Sequence, residues 1–241
     1  MNKKPLIIAH RGDRKNSIEN TIDACEKALA AGANALEIDI RQTGTGEIVV
    51  FHDFSLKRMF NKSGYIARTS MEVLKTYPYN DHLTNKPPKF LETLDQFFEQ
   101  FKNRIPINLD AKTIHFFDVN FADKIIHTIK YHNLMDSIWV SCFNPFLLQI
   151  LKLKDKNIKT GYLFQRMTWM HTCYDMITFS DAWHPHYSVL TKSLVDKARK
   201  YSKQLFVWTV NDEEILERIL ELRVDGLISD EVSAVRHYID R

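Results

Sequence analysis

The chain has 241 residues, 44% hydrophobic and 26% charged, with 33 Lys and Arg against 30 Asp and Glu. This is an ordinary globular composition, and a formal charge of +3 with scattered rather than clustered basic residues argues against a nucleic-acid partner. No stretch approaches the about eighteen consecutive apolar residues of a membrane span, so no stable membrane insertion is expected.

Cys25, Cys142 and Cys173 form neither a C-x-x-C pair nor a disulfide framework, which fits a reducing, cytoplasmic setting. The length suits one barrel-type domain over residues 1–241.

In chain order, a short apolar strand near 6–9 runs into His10-Arg11-Gly12. Ile18, Ile22, Cys25 and Leu29 then repeat at helical spacing, with Asn16 or Ser17 as the expected cap and Gly32 as the stop. A second strand, 35–40, reads ALEIDI, and after a Gly-containing turn at 43–46 a second apolar run leads to His52 and Asp53. A parallel crossover needs a dozen or more residues, so these two runs must form an antiparallel hairpin that returns His52 beside Glu37.

Residues 53–90, with Gly64, Pro78, Pro87 and Pro88, read as an insertion, and LETLDQFFEQF from Leu91 resumes the helical pattern. Further strands are expected near 106–110, 138–141, 160–163, 181–184, 205–209 and 226–229. Eight β-helix units predict an α/β fold, a (β/α)8 TIM barrel with a small insertion after the second strand's hairpin.

A TIM barrel keeps its chemistry at the C-terminal ends of its strands, where the polar residues of this chain collect. Glu37 and Asp39 lie two apart on a strand and share a face. With Asp110 they make an all-oxygen set suited to one divalent cation, Mg2+ first, with Ca2+ or Mn2+ as alternatives. An ion pair with Lys or Arg would serve the two carboxylates equally well.

His10 and His52 reach the same mouth from two separate strand ends, and a facing pair can divide base and acid roles. Arg11 and Lys112 add fixed positive charge for a phosphate or another anion. Trp208 is a candidate pocket wall. Glu19 and Asn20 could orient the site or cap the helix. His184 and His186 suit pocket lining better than ligation, because no carboxylate accompanies them. Asp225 and Asp230 read as structural turn residues. The Met- and aromatic-rich segment 164–179 suits packing on the sheet better than lipid contact.

The sequence resembles the glycerophosphodiester phosphodiesterases, within the phospholipase C-like phosphodiesterases. The likeness lies in AHRG at 9–12, ENT at 19–21, EID at 37–39, HD at 52–53, SCFNP at 141–145, VWTVND at 207–212 and VDGLISD at 224–230. It implies metal-dependent hydrolysis of a small-molecule glycerophosphodiester to glycerol 3-phosphate and an alcohol, through a cyclic phosphate.

By that resemblance His10 and His52 are catalytic, Glu37, Asp39 and Asp110 hold the cation, and Arg11, Lys112 and Trp208 bind substrate. Asp110-Ala111-Lys112 stands where the family usually has Glu-x-Lys. The shorter carboxylate bears on metal distance, affinity and ion preference, but not on charge. A lysophospholipase D, a cyclising phospholipid lyase and a non-catalytic anion-binding barrel are the alternatives.

Overall fold

The computed structural model describes residues 4–80, 88–166 and 178–241. Nine strands form one sheet: β1 Leu6–His10, β2 Ala35–Gln42, β3 Ile48–Val50, β4 Ile107–Ala111, β5 Ile138–Cys142, β6 Lys159–Phe164, β7 Ala182–Pro185, β8 Gln204–Val207 and β9 Gly226–Ser229. All neighbours pair in parallel except β2 with β3, and the pairings of β1 with both β2 and β9 close the eight parallel strands into a barrel. This is the expected (β/α)8 barrel with its hairpin, in which Ile40 faces Val50 and Gln42 faces Ile48.

Alternation along the strands decides which residues reach the barrel interior. Ile8, Ala35, Trp139, Ala182, Phe206 and Ile228 pack together in one interior cluster. Their sequence neighbours Ile7, Leu36, Val140, Trp183, Leu205 and Leu227 belong to the larger core beneath the helices. Counting in twos toward the C-terminal strand ends puts His10, Glu37, Asp39, Asp110, Ser141, His184 and Trp208 on the inner face.

The helices cover the outside of the barrel. Among the described residues they are α1 Ile22–Ala30, α2 Lys57–Phe60, α3 Met71–Leu74, α4 Leu94–Phe101, α5 Val119–Tyr131, α6 Pro145–Lys154, α7 Lys192–Lys200, α8 Glu213–Glu221 and α9 Val232–Asp240. α4 begins with a reciprocal cap in which Thr93 and Gln96 satisfy each other's backbone N–H, and it buries Leu94, Phe97, Phe98 and Phe101. α1 starts later than its periodicity predicts. Thr21 caps it by accepting from Ala24 N, because Asn20 is drawn to Asp39 at the barrel mouth and Ser17 to Asp23 and Lys89.

The excursion after β3 carries α2 and α3 and a small core of its own, in which Phe60 stacks between Phe51 and Tyr79 at centroid distances of 5.4 and 4.9 Å. No helix among the described residues is long and apolar enough to cross a membrane. Residues 167–177, which include Cys173 and most of the Met- and aromatic-rich segment, lie outside the described residues.

Candidate active site

β1 ends by turning sharply, and the turn is the reason for the sequence His-Arg-Gly. Arg11 adopts a left-handed backbone (φ 60°) and Gly12 follows at φ 81°, where a side-chain Cβ would lie 2.5 Å from the carbonyl carbon of Ala24. The turn is tied to β2 by Arg11 N donating to Glu37 O at 2.8 Å, and to the next loop by Asn20 N donating to Arg11 O at 2.9 Å. Asn20, also left-handed (φ 59°), closes a reciprocal pair with Asp39: its Nδ2 donates to Asp39 Oδ2 at 2.8 Å and its Oδ1 accepts from Asp39 N at 3.0 Å. Two non-glycine residues in this sparsely populated region, both locked by hydrogen bonds, mark a place where geometry is held against local preference.

Glu37, Asp39 and Asp110 each offer a carboxylate oxygen within 4.8 Å of the others, and all three are buried. Arg11 Nε lies 2.8 Å from Asp39 Oδ2, and Lys112 Nζ bridges Asp39 Oδ1, at 3.1 Å, and Asp110. Both alternatives for the carboxylates are thus present in part, since two cations face three anions. Burial and the charges of Asp39 and Asp110 push the Glu37 carboxyl well up. Burial opposes ionisation of Asp39 too, but Lys112, Arg11 and the Asn20 hydrogen bond hold its pKa well below the usual carboxylate range. Burial raises Asp110 against the pull of Lys112.

Among the described residues, the Oδ1 of Asp110 has no hydrogen-bond partner, and that of Asp39 has only the Lys112 ammonium. A buried all-oxygen set with unmatched negative charge and free lone pairs fits a hard divalent cation. Asp110 reaches this cluster despite its shorter side chain.

The two histidines are held alike. Nδ1 of His10 lies 2.8 Å from Asp230 Oδ1, and Nδ1 of His52 lies 2.8 Å from Asp53 Oδ1. Each pairing fixes its ring and leaves Nε2 for the pocket, the arrangement by which a carboxylate orients a catalytic imidazole. Each carboxylate is itself anchored. Asp230 accepts from Asn211 Nδ2 at 2.8 Å and from Arg14 at 3.0 Å, while Arg58 binds Asp53 and also reaches Glu19 Oε1, both at 2.7 Å. Burial lowers the His52 pKa, with the charges of Arg11 and Lys112 adding to that effect and Asp39 and Asp53 opposing it.

His10, Arg11, Glu37, His52, Asp110, Lys112 and Trp208 line one pocket of about 130 Å³. Of the eight residues that the sequence assigned to catalysis, cation binding or substrate binding, all meet there except Asp39, which belongs to the adjoining carboxylate cluster. Trp208 is fixed by its Nε1 donating to His184 O at 2.7 Å. His184 itself is fully buried, accepts from Trp139 Nε1 at 3.3 Å and is pushed down to about 3 by burial. His186 instead engages Ser188. Glu19 forms ion pairs with Arg11, Arg14 and Arg58.

The sequence reading missed Asp230, which stands at His10 rather than serving only a turn, and it missed Arg58 and Arg41. Arg41 donates to the backbone carbonyls of His52, at 2.6 Å, and Lys112, at 3.1 Å. The signal for Asp230 was the ISD end of the last strand, two residues beyond the inward-facing Ile228.

The family model of the glycerophosphoryl diester phosphodiesterase family matches residues 10–234. The chain belongs to that family. A glycerophosphodiester phosphodiesterase from Caldanaerobacter subterraneus subsp. tengcongensis is 32% identical over 232 residues, 95% of each chain. Among solved structures, a glycerophosphodiester phosphodiesterase from Thermotoga maritima is 28% identical with a TM-score of 0.80, covering 99% of this chain and 100% of that one. An Oleispira antarctica phosphodiesterase in complex with the product sn-glycerol-3-phosphate superposes with a TM-score of 0.88 at 23% identity, covering 98% and 97%. The protein is an enzyme, a glycerophosphodiester phosphodiesterase, which sets aside the non-catalytic barrel.

Proposed function

We propose that the enzyme hydrolyses glycerophosphodiesters to glycerol 3-phosphate and an alcohol by two-histidine acid-base catalysis through a cyclic phosphate. The observation that carries the reading is the pair of histidine–carboxylate couples, His10 with Asp230 and His52 with Asp53, facing one pocket beside a buried carboxylate cluster. Glu37, Asp39 and Asp110 would hold one divalent cation, Mg2+ first and Ca2+ or Mn2+ as alternatives. When bound, it supplies positive charge to the phosphodiester oxygens. The product held by the Oleispira antarctica phosphodiesterase supports the same product here.

Arg11 and Lys112 bring fixed positive charge to the phosphodiester, and Trp208 walls the glycerol side of the pocket. His10 Nε2 takes the proton from the glycerol 2-hydroxyl, whose oxygen bonds to phosphorus. The bond from phosphorus to the headgroup oxygen breaks, and His52 delivers a proton to that oxygen. Water then adds to the cyclic phosphate with the histidines in reversed roles, the bond to the 2-oxygen breaks, and glycerol 3-phosphate leaves. Asp230 and Asp53 stabilise each imidazolium in turn. Residues 1–241 act in this reading as one catalytic unit, with the 53–90 excursion contributing Asp53 and Arg58 to the mouth. The setting we propose is cytoplasmic.

Phosphorus NMR of glycerophosphocholine and glycerophosphoethanolamine, with Mg2+, Ca2+ or Mn2+ added and EDTA as control, tests the scheme. Metal-dependent glycerol 3-phosphate, lost in His10→Ala, is the expected result. A cyclic phosphate that persists would overturn the hydrolytic second step, and full turnover in EDTA would overturn the role of the carboxylate cluster.

A further inference from the structure

A groove of about 790 Å³ opens directly off the catalytic pocket, six times its volume of about 130 Å³. The two share His52, Lys112 and Phe143, but His10 and Trp208 border only the small pocket. Phe54, Ile114, Phe116 and Phe146 dominate the remaining wall, and Ala111, Cys142 and Tyr162, the outward-facing neighbours of inner-face residues, form its floor. The groove thus leaves the mouth at His52 and passes over the rim between the loops that follow β4 and β5.

Its apolar wall is held in place rather than left loose. Asn144 Nδ2 donates to the carbonyls of His115 and Phe116 at 2.9 and 3.0 Å, and Thr113 Oγ1 donates to Asp118 Oδ2 at 2.6 Å. The loop so pinned leaves Ile114 66% and Phe116 73% exposed. Fixed backbone that keeps large apolar side chains in water marks a surface meant for apolar contact.

The charges of the groove do not suit a cationic headgroup. Among the described residues its one carboxylate, Asp53, is already bound by His52 and Arg58, while Arg41 lies 3.6 Å from the centre of the Phe54 ring and Lys112 faces Phe143. An uncharged chain meets no opposing charge and covers the exposed rings.

Building on the two-histidine reading, in which His52 serves the leaving alcohol, we propose that this groove binds an alkyl or acyl chain carried by that alcohol, so that the enzyme prefers glycerophosphodiesters with an apolar headgroup. Each methylene that the groove takes up should strengthen binding about twofold, half of the roughly fourfold that complete burial of a methylene gives.

Dissociation constants of the methyl, butyl, hexyl and octyl esters of glycerol 3-phosphate are measured by calorimetry on the His10→Ala variant with Mg2+ present, so that affinity is read without turnover. Octyl should bind about a hundredfold tighter than methyl at the same per-methylene gain, and Ile114→Ser with Phe116→Ser should abolish most of that difference while leaving the methyl ester unchanged. Both substituted residues are solvent-exposed, so loss of the fold does not confound the comparison.

Equal affinity across the series overturns the proposal. So does a chain-length gain seen only in 1-acyl lysophosphatidylcholines, whose chain sits on the glycerol, and so does an effect of the double variant confined to sedimentation with lipid vesicles. If the parent protein turns over none of the esters although the affinities rise with chain length, the two-histidine scheme falls and the groove assignment stands.

Discussion

The two halves of the barrel mouth differ in kind. The ends of β1, β2 and β4 carry His10, Arg11, Glu37, Asp39, Asp110 and Lys112, and among these Arg11, Lys112 and the three carboxylates shift one another's protonation. The ends of β5 to β8 carry Ser141, Leu163, His184 and Trp208 on the inner side. Charge is placed where the hairpin adds a second layer of backbone to hold it: β3 brings His52 against β2, with Phe51 N donating to Asp39 O at 2.9 Å. Among the described residues the quieter half has no such layer, and it packs aromatic rings, as in the stack of Trp139 on Phe206 at 5.3 Å. In the function proposed above, the first half moves protons and holds phosphate, while the other shapes the space around them.

The sharpest way to break this contrast is to remove an acid-base group from the charged half. His52→Ala should lower kcat by about 10² to 10⁴, the usual worth of a positioned acid or base, with the fold retained by circular dichroism. Unchanged turnover of an unactivated diester would remove His52 from the chemistry.

The quiet half should answer in stability instead. His184 is held neutral, with its pKa lowered from 6.5 to about 3 by burial. The unfolded chain therefore binds a proton below about pH 6.5 that the folded chain refuses, so stability is lost as pH falls from about 6.5 toward 3. Between pH 6.5 and 4, His184→Leu should flatten that acid limb by roughly 3 kcal/mol, at about 1.4 kcal/mol per pH unit. Urea titrations of both proteins across pH 4 to 7 read it, and parallel curves would refute the assignment.

Asp230→Asn keeps the size of the side chain but removes the charge beside His10. It should cost about tenfold to a hundredfold in kcat by weakening the hold on the imidazolium, with a shifted pH–rate profile and little change in KM. A loss that appears only in KM would make Asp230 a substrate contact. Smallest of all, Trp208→Phe keeps the ring but loses the hydrogen bond to His184 O, worth about 1 kcal/mol, and should raise KM by about fivefold at nearly constant kcat.

Much of this contrast is legible in the sequence because both of its determinants are local. Strand periodicity alone puts Glu37 and Asp39 on one face, and the shortness of the turn at 43–46 forces the hairpin that returns His52. What escapes are pairings between distant segments. Asp230 lies 220 residues from His10, and no pattern within either segment announces the other. Arg58 sits in a stretch with no periodicity of its own, yet it ties Asp53 to Glu19.

The start of α1 escapes for a related reason. Ser17 and Asn20 have the chemistry of caps, but tertiary structure uses Asn20 to bind Asp39 and Ser17 to contact Asp23 and Lys89, leaving the capping to Thr21.

Gly161, on β6, lies on the inner face beside His184 of the neighbouring β7. A methyl group at 161 would lie 2.4 Å from the imidazole Nε2, the atom that accepts from Trp139. The two positions are therefore not free to drift separately. A larger residue at 161 becomes acceptable only in a lineage that has already shortened residue 184, and the reverse order opens a void beside Trp139. Sequence variation among descendants of this chain should show these two sites changing as a pair, with the small residue passing from one strand to its neighbour.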